Sequence, residues 1–177
     1  NLILVFGGGG GLASLFGFLD DVKDISASNK MVVQFLLSGW ALFWFDGWPL
    51  LYFEWLPQLV VIPLTAIFLV WMINAYNFMD GIDGMVVSGT VFVSGTITLV
   101  MLLTNGGSDL IVVTIMLCTC TSAFLIFNWP SASIFMGDSG SVFLGYIFGS
   151  LILVTVKSGD ISIWTWLIVF GYFFADT

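Results

Sequence analysis

The chain alternates between long apolar runs and short polar gaps, and the runs hold almost no charged side chains. A bilayer core about 30 Å thick is crossed by about 20 helical residues, so these runs predict membrane-spanning helices. Several runs are shorter than that, and their ends must draw on flanking polar or aromatic residues. The pattern therefore predicts an all-α, polytopic membrane protein with about seven transmembrane helices. The runs cover residues 2–19, 31–45, 59–73, 85–103, 110–127, 142–156 and 161–175.

The acidic residues fall in the gaps, and they divide unevenly between alternate gaps. If every run crosses the membrane, odd-numbered and even-numbered gaps lie on opposite sides. The larger acidic set then shares one side, which predicts a carboxylate-rich site on one membrane face. The odd gaps and the chain end hold Asp20, Asp21, Asp24, Asp80, Asp83, Asp138 and Asp176, and the even gaps hold Asp46, Glu54, Asp109 and Asp160.

Composition and charge narrow the class of protein further. Hydrophobic residues make up 59% of the chain and charged residues 8%, far below the roughly 25% of a soluble domain. The net charge of −8 argues against nucleic acid or an anionic lipid surface as the main partner and favours cations. Lys23 and Lys30 flank the first gap and Lys157 lies in the sixth, so the positive-inside rule places the acidic face in the cytoplasm. No gap is long enough to fold by itself, so residues 1–177 are predicted to form a single transmembrane domain.

The first acidic gap places Asp20, Asp21 and Asp24 within five residues at a helix end. Three carboxylates this close repel one another unless a cation is present. The gap therefore predicts a metal or a basic ligand. The alternative is a solvated helix end.

The third gap repeats a polar residue at every third position. In a helix this spacing makes each polar residue a neighbour of the next, although the stripe winds about half-way round the axis over nine residues. Amides and carboxylates crowded between apolar runs are costly to bury unless they bind something. The alternative is that they cap a re-entrant turn. The four residues are Asn74, Asn77, Asp80 and Asp83.

The fifth gap ends in Asp138, directly before an apolar run. Asp138 could be an ordinary helix N-cap. The neighbouring Gly137 and Ser139 favour a second interpretation, because free N–H groups at a helix N-terminus bind phosphate oxygens. A carboxylate at that position can hold Mg²⁺ that the same phosphates complete.

The predicted face carries five or more carboxylates and two lysines, so a hard divalent cation is the simplest compensating species. Mg²⁺, which takes oxygen ligands and keeps some of its waters, fits this ligand set. The sequence has no His. Cys118 and Cys120 lie in the middle of an apolar run, which disfavours a zinc site.

Three of these motifs resemble signatures of one family, the polyprenyl-phosphate N-acetylhexosamine-1-phosphate transferases, or glycosyltransferase family 4. This family includes phospho-MurNAc-pentapeptide translocase and the enzymes that initiate O-antigen and teichoic acid synthesis. The resemblance covers residues 15 to 177 and rests on segments 17–21, 74–85 and 128–145. Within the third segment, the core that resembles the family signature is Phe135-Met136-Gly137-Asp138-Ser139-Gly140-Ser141. Segments 78–84 and 127–130 look closer to the O-antigen initiators than to the peptidoglycan enzyme.

The resemblance implies a Mg²⁺-dependent transfer of N-acetylhexosamine 1-phosphate from a UDP-N-acetylhexosamine to undecaprenyl phosphate, with release of UMP. The product would start a lipid-linked cell-envelope glycan at the cytoplasmic face of the bacterial inner membrane. The metal ligand would be Asp138, and Asp20 would deprotonate or position the lipid phosphate. The implied catalytic residues are Asp20, Asp21, Asp80 and Asp83, and the implied substrate-binding residues are Lys30, Asn74, Asn77, Gly137 and Ser139.

Two functions outside this family stay open on the residues alone. A cation-coupled membrane transporter would use intramembrane acids to bind ions, although such sites lie near the bilayer midplane. A membrane scaffold without catalytic activity would leave the clustered carboxylates without a task. A homodimer is an open alternative to a monomer.

The resemblance also implies further spans on both sides of this chain and a His-containing cytoplasmic segment after it. We therefore expect residues 1–177 alone to be inactive or nearly so. The measurement is transfer in membranes supplied with UDP-sugar and undecaprenyl phosphate. Transferase activity from residues 1–177 alone would contradict this expectation.

Overall fold

The computed structural model describes residues 1–45, 57–171 and 173. Three acids of the predicted distribution, Asp46, Glu54 and Asp176, lie outside the described residues. The described part is helical, and its helices follow the predicted apolar runs. The α-helices are α1 (Gly10–Lys23, preceded by the π-helical segment Ile3–Gly9), α2 (Ala27–Trp44), α3 (Gln58–Met79), α4 (Met85–Thr104), α5 (Ser108–Asn128), α6 (Gly137–Ser158) and α7 (Ile163–Val169).

Five helices in the described part are long and apolar enough to cross a membrane, judged by length and composition. They are α1 with its π-helical extension, α3, α4, α5 and α6. α2, which has 18 residues, and α7, which has 7 described residues, are not among them. The all-α, polytopic fold predicted from the apolar runs is confirmed.

Helix boundaries differ from the predicted runs at the motif-bearing ends. α1 continues to Lys23 and ends where Asp24 takes a left-handed conformation with φ 47°. α3 continues to Met79, so its last turns carry motif residues. The polar residues after an apolar run extend the helix, because a helix ends where a residue leaves helical φ and ψ and not where hydrophobicity stops.

The chain forms two compact units. The first comprises Asn1–Phe78 and Met136–Lys157 and contains α1, α2, nearly all of α3 and α6. The second comprises Met79–Phe135 and Ser158–Thr177 and contains α4, α5 and α7.

α6 is the most enclosed span of the first unit, and 83% of its apolar window is buried. The Tyr146 hydroxyl donates a hydrogen bond to the Val5 carbonyl at 3.1 Å. The ring of Tyr76 stacks on Phe148, with ring centroids 5.6 Å apart. These contacts make α6 the helix around which the unit packs.

Glycines let the other helices approach α6 by their backbones. A Cβ added at Gly145 would lie 2.6 Å from the Cα of Ile73 in α3. A Cβ at Gly17 in α1 would overlap the backbone of Asp138 at the start of α6. Small residues at such contacts are typical of membrane helix packing. The close approach brings the C-terminal ends of α1 and α3 to the N-terminus of α6.

In the second unit, α4 and α5 form a helical hairpin. The Thr98 hydroxyl donates to the Thr114 hydroxyl at 2.8 Å between the two helices. At the turn of the hairpin, the Gly107 N–H donates to the Asp160 carboxylate at 3.0 Å. Asp160, one of the acids predicted for the opposite face, thus has a structural contact at a turn.

We expect Gly145→Ala to lower the free energy of unfolding by about 1–3 kcal/mol, because the added methyl group overpacks the α3–α6 contact. Gly11→Ala is the matched control, since a Cβ there meets nothing within 4 Å. The control should be neutral or stabilising by up to about 1 kcal/mol. Thermal unfolding of both variants in detergent measures the difference, and equal stabilities would contradict it.

Candidate functional site

Four helix ends meet in the first unit and bring polar side chains together. They are the C-terminal ends of α1 and α3 and the N-terminal ends of α2 and α6. Most of the site residues predicted from the motifs meet here, joined by hydrogen bonds and ion pairs. The cluster contains Asp20, Asp21, Lys30, Gln34, Asn74, Asn77, Gly137, Asp138, Ser139 and Ser141.

The centre of this cluster is the ammonium group of Lys30. It lies 2.5 Å from the Asp20 carboxylate and 3.4 Å from the Asp138 carboxylate. Asp20 is 3% exposed, and its other oxygen accepts the Ile25 N–H at 3.0 Å. A buried carboxylate is costly without a partner. Lys30 is therefore the residue that makes the burial of Asp20 tolerable.

Asn77 holds the second oxygen of Asp138. Its amide group donates to Asp138 Oδ1 at 2.7 Å and lies 3.0 Å from the Ser141 hydroxyl. Lys30 approaches the other oxygen, Oδ2. The Asp138 carboxylate is thus oriented from both sides, while its side chain stays 28% exposed and open to a ligand.

The charges in the centre do not balance. With both carboxyl groups ionised, Asp20 and Asp138 supply two negative charges and Lys30 one positive charge, which gives a formal net charge of −1. Lys30 precedes the apolar part of α2, and its hydrogen bond with Asp20 raises the pKa of its ammonium group above the ordinary value. Lys30 therefore stays protonated near neutral pH, and the remaining negative charge attracts a further cation.

Asp21 binds the start of α6. Its two carboxylate oxygens accept the backbone N–H groups of Asp138, at 2.9 Å, and Ser139, at 3.1 Å. Gly137 has φ 63°, and a Cβ there would lie 2.9 Å from an oxygen of Asp21. A carboxylate at a helix N-terminus satisfies free amides and interacts favourably with the helix dipole. Asp21 therefore caps α6 from another helix and fixes the backbone of Asp138.

The structure excludes one interpretation of Asp138, namely that it is the N-cap residue of α6. Asp138 lies inside α6, which begins at Gly137, so it is not the residue before the helix. Two of the amides predicted to bind phosphate, those of Asp138 and Ser139, already have Asp21 as partner. The roles of Gly137 and Ser139 in substrate binding stay predictions.

The donors in the cluster fit a divalent cation that shares its ligands with phosphate. Mg²⁺ is usually bound by one or two carboxylates, with waters and phosphate oxygens completing its coordination. Asp138, whose side chain is 28% exposed, could supply such a carboxylate. Both oxygens of Asp21 are engaged with amides, and those of the buried Asp20 are engaged with Lys30 and the Ile25 N–H. Within the described ranges, no three His, Cys, Asp or Glu side chains form a ready metal cage. A metal ion held here would need waters or phosphate oxygens to complete its coordination.

Gln34 belongs to the cluster although motif reasoning did not include it among the site residues. Its amide donates to Asn74 Oδ1 at 3.2 Å, and the Asn74 amide donates to Gln34 Oε1 at 2.7 Å. Asn74 also donates to the Val70 carbonyl at 2.8 Å. The available signal was a polar residue inside an apolar run, four positions after Lys30. The substrate-binding role predicted for Asn74 stays a prediction.

Asp80 and Asp83 are described with the second unit. Asp80 directly follows the end of α3. Asp83 accepts the Ala132 N–H at 3.1 Å. The catalytic roles predicted for both residues stay predictions, and Asp83 has in addition a structural contact.

Asn128 ties together the same two segments of the second unit. It is 4% exposed, its carbonyl oxygen accepts the Gly84 N–H at 3.0 Å, and its amide donates to the Ile134 carbonyl at 2.9 Å. Gly84 itself needs glycine, because its φ is 73°. Asn128 was noted as part of a motif but not as a site residue, and its role is to hold two loops together.

Comparison with known proteins gives a match to the model of glycosyl transferase family 4 over residues 3–156. The chain is 32% identical to a probable undecaprenyl-phosphate N-acetylglucosaminyl 1-phosphate transferase of Bacillus subtilis, over 79% of the chain and 40% of that protein. It is 33% identical to a phospho-N-acetylmuramoyl-pentapeptide-transferase of Clostridium beijerinckii, over 78% of the chain and 47% of that protein. It is 32% identical to a decaprenyl-phosphate N-acetylglucosaminephosphotransferase of Mycolicibacterium smegmatis, over 86% of the chain and 41% of that protein. The chain thus spans less than half the length of these relatives.

We expect Asp21→Asn to destabilise the protein by about 0.5–2 kcal/mol, because an amide side chain has one acceptor oxygen where the carboxylate has two. Asp24→Asn is the matched control. It removes the same charge from the end of the same helix, and Asn tolerates the left-handed conformation of Asp24. Thermal unfolding in detergent compares the two, and an equal loss of stability would show that Asp21 acts through charge alone.

Proposed function

The chain belongs to glycosyl transferase family 4, and from this membership we propose that the protein transfers N-acetylhexosamine 1-phosphate from a UDP-sugar to undecaprenyl phosphate. The names of the relatives support the proposal, since two of them specify a polyprenyl phosphate and all three specify a phosphorylated N-acetyl amino sugar. The product is a lipid-linked sugar diphosphate that starts a cell-envelope glycan, and UMP is released. We place the reaction at the cytoplasmic face of the bacterial inner membrane.

The observation that carries the proposal is the cluster of Asp20, Lys30, Asn77 and Asp138 at the ends of apolar helices. An acceptor that is a lipid phosphate and a donor that is a soluble diphosphate can meet only at the membrane surface. Their reaction brings several negative oxygens together, so it depends on positioning and charge neutralisation. A partly exposed ammonium group held between oriented carboxylates is suited to that task.

In the proposed reaction, an oxygen of the lipid phosphate attacks the phosphorus that carries the sugar. A new P–O bond forms, the bond from that phosphorus to the bridging oxygen breaks, and the bridging oxygen leaves with UMP. The lipid phosphate has a second pKa near 6, so it is largely dianionic at neutral pH. Asp20 therefore needs to take no proton, and we assign it the task of holding Lys30 where a phosphate oxygen arrives.

Asp138 is the residue we propose to hold Mg²⁺, because its side chain is 28% exposed, whereas Asp20 is buried and both its oxygens already have partners. A bound Mg²⁺ supplies positive charge to the diphosphate and to the leaving UMP. Asn77 keeps Asp138 oriented toward the open side of the cluster. The chemistry of these oxygen donors and the net charge of the centre support this part of the proposal.

The position of the acids favours a transferase over a cation-coupled transporter. Transporters bind their ions near the bilayer midplane in broken helices. Asp20 and Asp21 lie in the last turn of α1, and Asp138 lies in the first turn of α6. An ion held at these helix ends is at the membrane surface, where a transporter would not sequester it.

We expect Asp138→Asn in the full-length protein to lower the Mg²⁺-dependent release of UMP at least about 100-fold, which corresponds to a loss of several kcal/mol of charge stabilisation. The assay uses membranes, undecaprenyl phosphate and a panel of UDP-N-acetylhexosamines. Asp109→Asn is the control, because it removes an acid from the first turn of α5, outside the cluster.

Three results, two from this assay and one from a vesicle uptake measurement, would count against the proposal. Full activity of Asp138→Asn would remove the metal assignment. Failure of the unaltered protein to release UMP from every UDP-sugar tested would remove the transferase function. Ion-driven uptake of a solute into vesicles without formation of UMP would favour the transporter.

A further inference from the structure

Two amide side chains form a reciprocal pair one helical turn away from the charged centre. Gln34 in α2 and Asn74 in α3 each donate one hydrogen bond to the other, at 3.2 Å and 2.7 Å. Gln34 is 4% exposed. The pair therefore joins the two helices through two directional contacts.

Each member of the pair lies next to a residue that binds Asp138. Lys30 is four residues before Gln34, and Asn77 is three residues after Asn74. Residues three or four apart are neighbours on a helix surface. Lys30 approaches Oδ2 of Asp138, and Asn77 donates to Oδ1. The amide pair thus ties together the two helices that hold the two oxygens of one carboxylate.

We propose that Gln34 and Asn74 are positioning residues that hold Lys30 and Asn77 in register on the Asp138 carboxylate. The role assumes the transferase function proposed above and names the element that orients its charged centre. Asn74 acts here through its neighbours and not on the substrate, because its amide and its carbonyl are both engaged.

A pair of amides is suited to this position for a physical reason. It is neutral, so it adds no charge beside the Lys30 ion pairs. Its two hydrogen bonds fix the relative position of α2 and α3, whereas an apolar contact between the same helices would let them slide. Lysine has a long flexible side chain, so the position of its helix determines which oxygens its ammonium group can reach.

The test compares three changes in the full-length protein. Gln34→Leu leaves the Asn74 amide without its partner. Gln34→Leu with Asn74→Leu removes both polar groups and should be nearly neutral for stability. Gln34→Asn with Asn74→Gln reverses the pair and keeps both amides. Thr98→Val is the control, because it breaks a hydrogen bond between α4 and α5 in the other unit.

We expect the double leucine variant to fold with near-normal stability and to lose about 10-fold to 100-fold in kcat, with KM for the UDP-sugar nearly unchanged. The reversed pair should recover a large part of the loss. If the pair had only a structural role, a variant of near-normal stability would also have near-normal kcat. The double leucine variant therefore distinguishes a positioning role from a structural one.

Acylation of Lys30 supplies a measurement that does not need the reaction. Residues 1–177 contain only three Lys and Arg residues, so mass spectrometry of peptides from this region can follow each of its lysines. Lys30 should be acylated faster in the double leucine variant than in the unaltered protein or in Thr98→Val. The reason is that the ammonium group of Lys30 is then held less firmly between Asp20 and Asp138. If the unaltered protein releases no UMP, the transferase function fails and the acylation rates still decide the positioning role.

Several results would overturn the positioning role. Normal kcat in the double leucine variant is one, and a reversed pair no faster than Gln34→Leu is another. A rise in KM with unchanged kcat would assign Asn74 to substrate binding. Equal acylation of Lys30 in the double leucine variant and the unaltered protein would show that the pair does not hold Lys30.

Discussion

The contact of Lys30 with the buried Asp20 carboxylate is the constraint on which the site depends. In a chain with 8% charged residues, a carboxylate that is 3% exposed can persist only beside a fixed positive charge. Lys30 supplies that charge and also reaches Asp138. The ends of α1, α2 and α6 must therefore lie close together, and the packing of the first unit holds them there.

The same residues serve the packing and the site. Gly17 allows α1 to touch the backbone at the start of α6, and Asp21, one turn later, caps that start. Gly145 allows α3 to lie against α6, which brings Asn77 within 2.7 Å of Asp138. A change that separates these helices would thus both lower the free energy of unfolding and misplace the Asp138 carboxylate.

The sequence predicted the elements and much of the cluster, because both depend on patterns along the chain. Apolar runs marked the helices, and the alternation of acids between gaps predicted that Asp20 and Asp138 share a face. The partners of Asp21 could not be predicted, since its hydrogen bonds join it to amides 117 and 118 residues away. Backbone amides carry no signal in a sequence. The partner of Gln34 could not be predicted for a related reason, because a single polar residue in an apolar run does not reveal which side chain it contacts.

Along the inner face of α2, the side chains become less polar from the helix start toward the buried part of the helix, because desolvating a polar group is costly. Lys30 lies at the helix start, Gln34 follows one turn later, and Ser38 follows after a second turn, where its hydroxyl donates to the Gln34 carbonyl at 2.8 Å. Ala41 comes next and is fully buried. From the helix start inward, a charged group is followed by a neutral amide, a hydroxyl and a methyl group. This order is expected because the more polar a group is, the more its burial costs. Along this helix the charged group is confined to the end, where the proposed lipid phosphate acceptor and soluble nucleotide-sugar donor would both arrive.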